Sequence, residues 1–206
     1  MKSTHSHRTI SPHWIASFFI FATLISTAAW AGSPRTALKK GVFLIATHQL
    51  SDSSFSHAVV YLTEYNEEGT YGLIVNRPTD IPLAEAVAEY GKPNHPKDLL
   101  YFGGPMHAQY MFVLTRTKNQ QDIAPVSQGV FFAAGTDAVE RLTKPAFAHD
   151  ITRTYGGFYS WGAEQLKTEI DRGDWLVVPE DANIIFSTKL DGLWATMIKK
   201  WKGNWS

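Results

Sequence analysis

The sequence predicts a single α+β domain, and three observations carry the prediction. Residues 58–76 read as two strands joined by a turn, residues 163–172 read as an amphipathic helix closed by a glycine, and no repeat, low-complexity tract or linker divides the chain. Once the N-terminal leader is set aside, about 175 residues remain, the usual size of one domain with a substantial core.

The first strand is expected over residues 42–46 (VFLIA), apolar at every position. Residues 58–65 (AVVYLTEY) are rich in the β-branched and aromatic side chains that suit a pleated surface; residues 66–69 turn, and residues 71–76 (YGLIVN) return as the partner strand. Pro78 is expected to stop the sheet, because proline cannot donate to a ladder, and Pro82 to open a short helix over 83–90 that Gly91 ends. Residues 92–97, with two prolines, form a loop. A strand resumes over 99–102, Gly103-Gly104-Pro105 makes a tight corner, and a further strand covers 111–116 before the polar loop 117–121. Residues 130–134 form another strand. Thr136 or Asp137 is expected to cap the helix that follows, which ends near Lys144-Pro145. Residues 149–155 look extended. The helix over 163–172 (AEQLKTEIDR) buries Ala163, Leu166 and Ile170, and Gly173 is placed to end it in a left-handed conformation. Residues 174–178 form a strand, and 193–201 form a closing helix with Trp194, Met197, Ile198 and Trp201 on one face.

Ahead of this domain, Lys2 and Arg8 precede an uncharged apolar run over residues 14–31. That is the layout of a secretory signal, and Ala29-Trp30-Ala31 supplies the small side chains of a cleavage site between Ala31 and Gly32. The domain is therefore expected to be exported and periplasmic. The competing reading is an uncleaved inner-membrane anchor, since the run falls only slightly short of the about 20 apolar residues that cross a bilayer. His5, His7 and His13 belong to the polar flank of the leader. The chain has no cysteine, which excludes a lipid-modified Cys anchor, disulfides and thiolate chemistry. Losing the leader removes two basic side chains and no acid, leaving 17 basic against 19 acidic ones. No basic block remains to neutralise a run of phosphates, so nucleic acid is disfavoured as a partner.

Residues 41–78, 102–105 (FGGP) and 157–175 (GFYSWGAEQLKTEIDRGDW) resemble the YqgE/AlgH family of uncharacterised bacterial proteins, and the resemblance spans nearly all of the chain after the leader. Its most specific elements are Asn76-Arg77-Pro78, Gly103-Gly104-Pro105 and the W-G-x-x-Q-L of residues 161–166, in that order. The resemblance implies a mixed, mostly antiparallel sheet curled into a partial barrel with flanking helices. It implies no established reaction, and the regulator label attached to the AlgH name describes a cellular effect; no cofactor is expected, because the sequence shows no recognisable cofactor loop. This chain departs from the family pattern in having Tyr65 where a His often follows the Glu of the second strand, Met111-Phe112 in place of Gly-Phe, and a leader where most relatives look cytoplasmic.

Each motif has a structural and a functional reading. Asn76-Arg77-Pro78 is either a turn, in which Asn bonds nearby backbone and Pro fixes φ, or a site where Arg77 presents its planar fork to a carboxylate or phosphate. The paired glycines Gly103 and Gly104 permit a tight corner or let backbone approach a ligand; the residues of a P-loop or a dinucleotide loop are missing around them. Gln165 and Glu169 share a helix face, with Arg172 three residues beyond, as a surface ion pair or the polar wall of a cleft. Trp161 and Trp175 read as core anchors. His48, Asp52 and His57 lack the H-x-x-x-H or H-x-H spacing that sets two ligands side by side, so no metal is assigned. Ser51, Ser53, Ser54 and Ser56 lack a G-x-S-x-G elbow. Lys199, Lys200 and Lys202 beside Trp201 and Trp205 suit peripheral membrane contact, against the simpler reading of that helix as core.

The resulting expectation is a non-enzymatic envelope protein that binds a small anionic ligand or an envelope protein in a cleft built from Asp52, Asn76, Arg77, Gly103, Gly104, His107 and Gln165. A hydrolase acting on an anionic envelope substrate would instead draw on Asp52, Arg77 and His107. A regulator contacting nucleic acid is the third class.

Overall fold

A computed structural model describes residues 36–117, 123–162 and 164–202. The leader, its cleavage position at Ala31 and Gly32, and Ala163 of the expected helix stripe lie outside these residues. Strands β1 (Phe43–Ala46), β2 (Val59–Asn66) and β3 (Gly69–Ile74) form an antiparallel meander, with Phe43 opposite Tyr61, Tyr61 opposite Leu73, and a bulge between Leu62 and Glu64. The expected hairpin is thus present. The uniform apolarity of β1 has a direct cause, because the sheet carries core on both faces. Phe43, Ile45, Val59 and Tyr61 enter one cluster, while Leu44, Ala46, Val60 and Leu62 enter another.

Pro78 does not stop the sheet. It begins strand β4 (Pro78–Pro82), which pairs with β5 (Leu99–Phe102), and a proline is tolerated there because it is the first residue of its strand. The helix expected over 83–90 divides into α1 (Leu83–Ala86) and a 3-10 turn at Ala88–Tyr90, after which Gly91 adopts φ 113°. Strand β6 (Met106–Arg116) starts directly after the glycine corner, earlier than expected, with a register shift between Met106 and Met111. A strand that the sequence reading did not include, β7 (Ala124–Ser127), pairs with β8 (Val130–Ala134). Helix α2 (Gly135–Thr143) is not capped by Thr136 or Asp137. Its N-cap is Ala134, without a side-chain bond, and Gly135 makes the entry at φ 56°.

Strand β9 (Ile151–Trp161) organises the rest. One edge pairs antiparallel with β6; the other takes β3 at Tyr159 to Trp161 and, in parallel, β5 at Thr154 to Gly156. Helix α3 (Gln165–Arg172) ends at Gly173 with φ 88°, as expected, and leads into β10 (Trp175–Val178). The short α4 (Ala182–Ile185), also absent from the sequence reading, precedes α5 (Leu193–Lys202). Helix α5 sets Met197, Ile198, Trp194 and Trp201 against the first core cluster, and the Trp194 indole donates to the Ala46 carbonyl at 2.7 Å. Its apolar stripe is therefore spent inside the domain. None of the helices among the described residues is long and apolar enough to cross a membrane.

The main sheet runs β10-β1-β2-β3-β9-β6-β8-β7. It bends enough to bring β7 beside β2, where the Tyr61 and Ser127 hydroxyls bond at 2.7 Å and Lys40 Nζ donates to the Pro125 carbonyl at 3.2 Å. It is not closed by a ladder among the described residues, so the partial-barrel expectation holds only loosely, and a large, open, mostly antiparallel sheet with five α-helices among those residues is the description that stands.

Burial of Tyr61 pushes its phenol up to about 12, with Glu180 adding to the rise and the Ser127 bond opposing it; Tyr155, fully buried, is raised by the same cause. The folded chain keeps these protons where an unfolded tyrosine loses its own near pH ~10, so stability is full below that value and falls as pH climbs through the raised values. Denaturant melts between about pH 10 and 12 are expected to lose roughly 1.4 kcal/mol per pH unit for each buried tyrosine. A flat profile through that window would contradict the assignment.

Candidate functional site

The residues named by the first motif meet at one loop. Asp52 caps the 3-10 turn Ser53–Phe55, its Oδ1 accepting from Ser54 N at 2.8 Å and Ser54 Oγ at 2.6 Å. Asn76 bridges the far side, its Oδ1 accepting from Val59 N and its Nδ2 donating to the His57 carbonyl, both at 2.9 Å. Arg77 turns its fork inward, Nη1 donating to the Ser54 carbonyl at 2.6 Å and Nη2 to the Ser56 carbonyl at 3.0 Å. Its burial holds the guanidinium below its ordinary value, although an arginine stays charged. The two carbonyls flank Phe55, which is buried with ring centroids 4.3 Å from Tyr159, 5.0 Å from Trp175 and 6.2 Å from Trp161. The clamp thus holds an aromatic plug in place.

The third motif holds the opposite wall of that plug. Glu169 Oε2 accepts from the indole N–H of Trp161 at 2.9 Å and of Trp175 at 2.8 Å, while its Oε1 accepts from Gln165 Nε2 at 2.9 Å. Gln165 Oε1 in turn accepts from Gly162 N at 3.3 Å. Trp161 and Trp175 are core anchors, as expected. The expected Glu169 to Arg172 pairing is absent from this arrangement, because Arg172 Nε donates instead to the buried Asp174 at 2.8 Å, with Nη2 on the same oxygen.

The second motif is a strand crossing. A Cβ on Gly103 would collide with the Gly157 carbonyl, one on Gly104 with the Phe158 backbone, and one on Gly157 with the Gly104 carbonyl. Gly103 N donates to the Gly156 carbonyl at 2.9 Å, and the Gly103 carbonyl accepts from Ile74 N at 2.8 Å. His107, at φ 49° in the β6 bulge, stacks on Phe158 at 5.8 Å and lies tilted against Tyr110 at 5.4 Å. Its side chain meets those two rings, and no hydrogen bond or ion pair among the described residues joins it to Asp52 or Arg77. His48 and His57 both pack on Trp194, at 5.1 and 4.1 Å. Among the described residues no group of three or more His, Cys, Asp or Glu side chains could hold a metal ion.

What the bend of the sheet leaves open is a cleft of about 280 Å³. Four neighbouring strands, β3, β9, β6 and β8, each contribute one ring: Tyr71, Phe158, Phe112 and Phe132. The rings run in contact, with centroids 5.6 Å from Tyr71 to Phe158, 5.5 Å from Phe158 to Phe112 and 5.8 Å from Phe112 to Phe132. Strand β7 closes the other side through Ala124, Pro125 and Val126, and Lys40 and Glu64 bring one charge of each sign to the lining. Such a wall takes up an apolar or aromatic body.

A family model described as AlgH-like, DUF179, matches residues 43–206. The chain belongs to the AlgH-like family. It is 33% identical over 158 residues to a UPF0301 protein of Xanthomonas oryzae pv. oryzae, covering 74% of this chain and 84% of that one. It is 34% identical over 169 residues to UPF0301 protein PM1869 of Pasteurella multocida, covering 74% and 85%. The solution structure of the AlgH protein from Pseudomonas aeruginosa matches with a TM-score of 0.62 at 26% identity, over 77% of this chain and 86% of that one. Protein DIP2367 from Corynebacterium diphtheriae matches with a TM-score of 0.65 at 21% identity, over 81% and 89%, which speaks to fold alone.

In this AlgH-like chain the three motifs are accounted for by the Phe55 plug, its Trp161–Trp175–Glu169 wall and the Gly104–Gly157 crossing. The cleft rings were not among the sequence candidates. Four aromatics about 20 to 40 residues apart share no local period, and only the strand order brings them together.

Proposed function

We propose that this AlgH-like protein is an exported, non-catalytic binding protein of the cell envelope, and that its ligand is a small apolar or aromatic molecule seated in the cleft of Tyr71, Phe112, Phe132 and Phe158. The continuous ring wall is the observation that carries the reading. Binding is favoured over hydrolysis because Asp52 and Arg77 direct polar atoms at the backbone of Ser54 and Ser56, while His107 packs on rings. The GGP corner serves the cleft indirectly. Its crossing fixes the backbone that carries Phe158.

Two measurements test the two halves. An anionic fluorescent naphthalene probe is expected to bind saturably, and Ala124→Trp, a substitution at an exposed position of the lining, is expected to weaken it at least about tenfold with the melting temperature unchanged. Equal binding by the variant would sink the cleft. Export rests on the leader sequence, and the mass of the periplasmic product is expected to begin at Gly32. A full-length soluble cytoplasmic product would end that half of the reading.

A further inference from the structure

Arg153 of β9 borders a second cleft, of about 420 Å³, between β5, β9 and the segment that follows α4. Its guanidinium lies over the Tyr101 ring at 4.5 Å, and Nη2 donates to the Ser187 carbonyl at 2.9 Å. Nη1 is buried and meets no partner among the described residues. Among the described residues no carboxylate comes within ion-pair range of Arg153 either, whereas Arg141 holds Asp150 and Arg172 holds Asp174. A half-buried guanidinium with one carbonyl and one ring for company has donor capacity to spare, and an oxyanion is the partner its planar fork fits best.

The rest of the lining suits that partner. Lys97 adds a second cation, Thr152, Thr154 and Thr188 add hydroxyl donors, and Phe186 joins Tyr101 in offering an aromatic surface. Asp98 is the acid of the lining, and it forms no ion pair with either cation. We propose that this cleft binds an organic oxyanion, a carboxylate or phosphate carried on an aromatic body, with Arg153 as its anchor and Lys97 as a second, looser contact. The site stands apart from the aromatic cleft of the proposed function and rests on different residues.

The test titrates the purified protein with benzoate, phenyl phosphate, inorganic phosphate and neutral benzyl alcohol, following backbone amide shifts of Thr152, Arg153, Thr154 and Thr188. Benzoate or phenyl phosphate is expected to saturate those shifts with a Kd of about 1 mM or below, and which of the two binds tighter assigns the oxyanion. Arg153→Gln is expected to weaken binding at least about tenfold, and Lys97→Gln, at an exposed position, a few-fold without loss of fold. Ala124→Trp should leave these affinities unchanged, which separates this site from the aromatic cleft. The proposal is overturned if neither aromatic anion saturates, if benzyl alcohol binds as tightly, or if both charge-removing variants bind like the parent. Inorganic phosphate binding as tightly as phenyl phosphate would overturn the aromatic part of the ligand.

Discussion

Gly104→Ala and Gly157→Ala are each expected to destabilise the domain by about 3 kcal/mol or more, among the largest effects of any single methyl group in this chain. At Gly104 the added Cβ meets the Phe158 backbone, and at Gly157 it meets the Gly104 carbonyl on a residue that also holds φ 70°. Neither obstacle is a side chain that can swing away. Both contacts lie between the corner after β5 and the middle of β9, which pairs with β3, β5 and β6, so relief requires moving strands. Gly91→Ala provides the comparison. Its φ is 113° but its Cβ would meet nothing within 4 Å, so it carries conformational strain alone and is expected to cost roughly 1 to 2 kcal/mol. Chemical denaturation of the three variants checks the order, and equal losses at Gly91 and Gly104 would mean that the close crossing is not what requires glycine.

Phe55→Ala is expected to cost about 3 to 5 kcal/mol, because it empties a site walled by Tyr159, Trp161 and Trp175. Arg77→Met is expected to cost about 2 kcal/mol, since it removes two charge-assisted bonds from partly solvated carbonyls. The informative quantity is the double variant. If Arg77 acts by holding the carbonyls on either side of Phe55, its removal matters little once the ring is gone, and the two losses should fall short of additivity by at least about 1 kcal/mol. Strict additivity would mean that the arginine fork does something other than hold the plug, and would return it to consideration as a ligand group.

The sequence was most legible where local chemistry decides local structure. The uniformly apolar run of β1, the β2–β3 hairpin and the glycine that closes α3 follow from side-chain type and spacing. The misreadings share a cause. Pro78 opens a strand because β5 arrives to pair with it, and no property of residues 76–82 announces that partner. Thr136 and Asp137 are good caps in isolation, but Gly135 turns the chain one residue earlier. Strand β7 is four residues with a proline inside, too short to show alternation. The motifs themselves were visible, yet their work was not. That Arg77 faces Phe55, that Glu169 gathers two indoles, and that Gly104 lies on Phe158 are all facts about residues brought together from distant parts of the chain.

The same distinction moves the candidate binding surface. From sequence, Arg77 and the glycine corner looked like the ligand contacts; in the fold their polar atoms and backbone support a plug and a crossing, and the open apolar space lies inside the bend of the sheet. The most direct measurement is therefore a chemical-shift map of the purified protein as the naphthalene probe is added. Saturable perturbations are expected at Leu73, Phe112, Val126, Phe132 and Phe158, with the amides of Ser54, Ser56 and Arg77 unmoved. Perturbations centred on Arg77 and the Asp52 turn, with the four rings silent, would contradict that placement of the ligand.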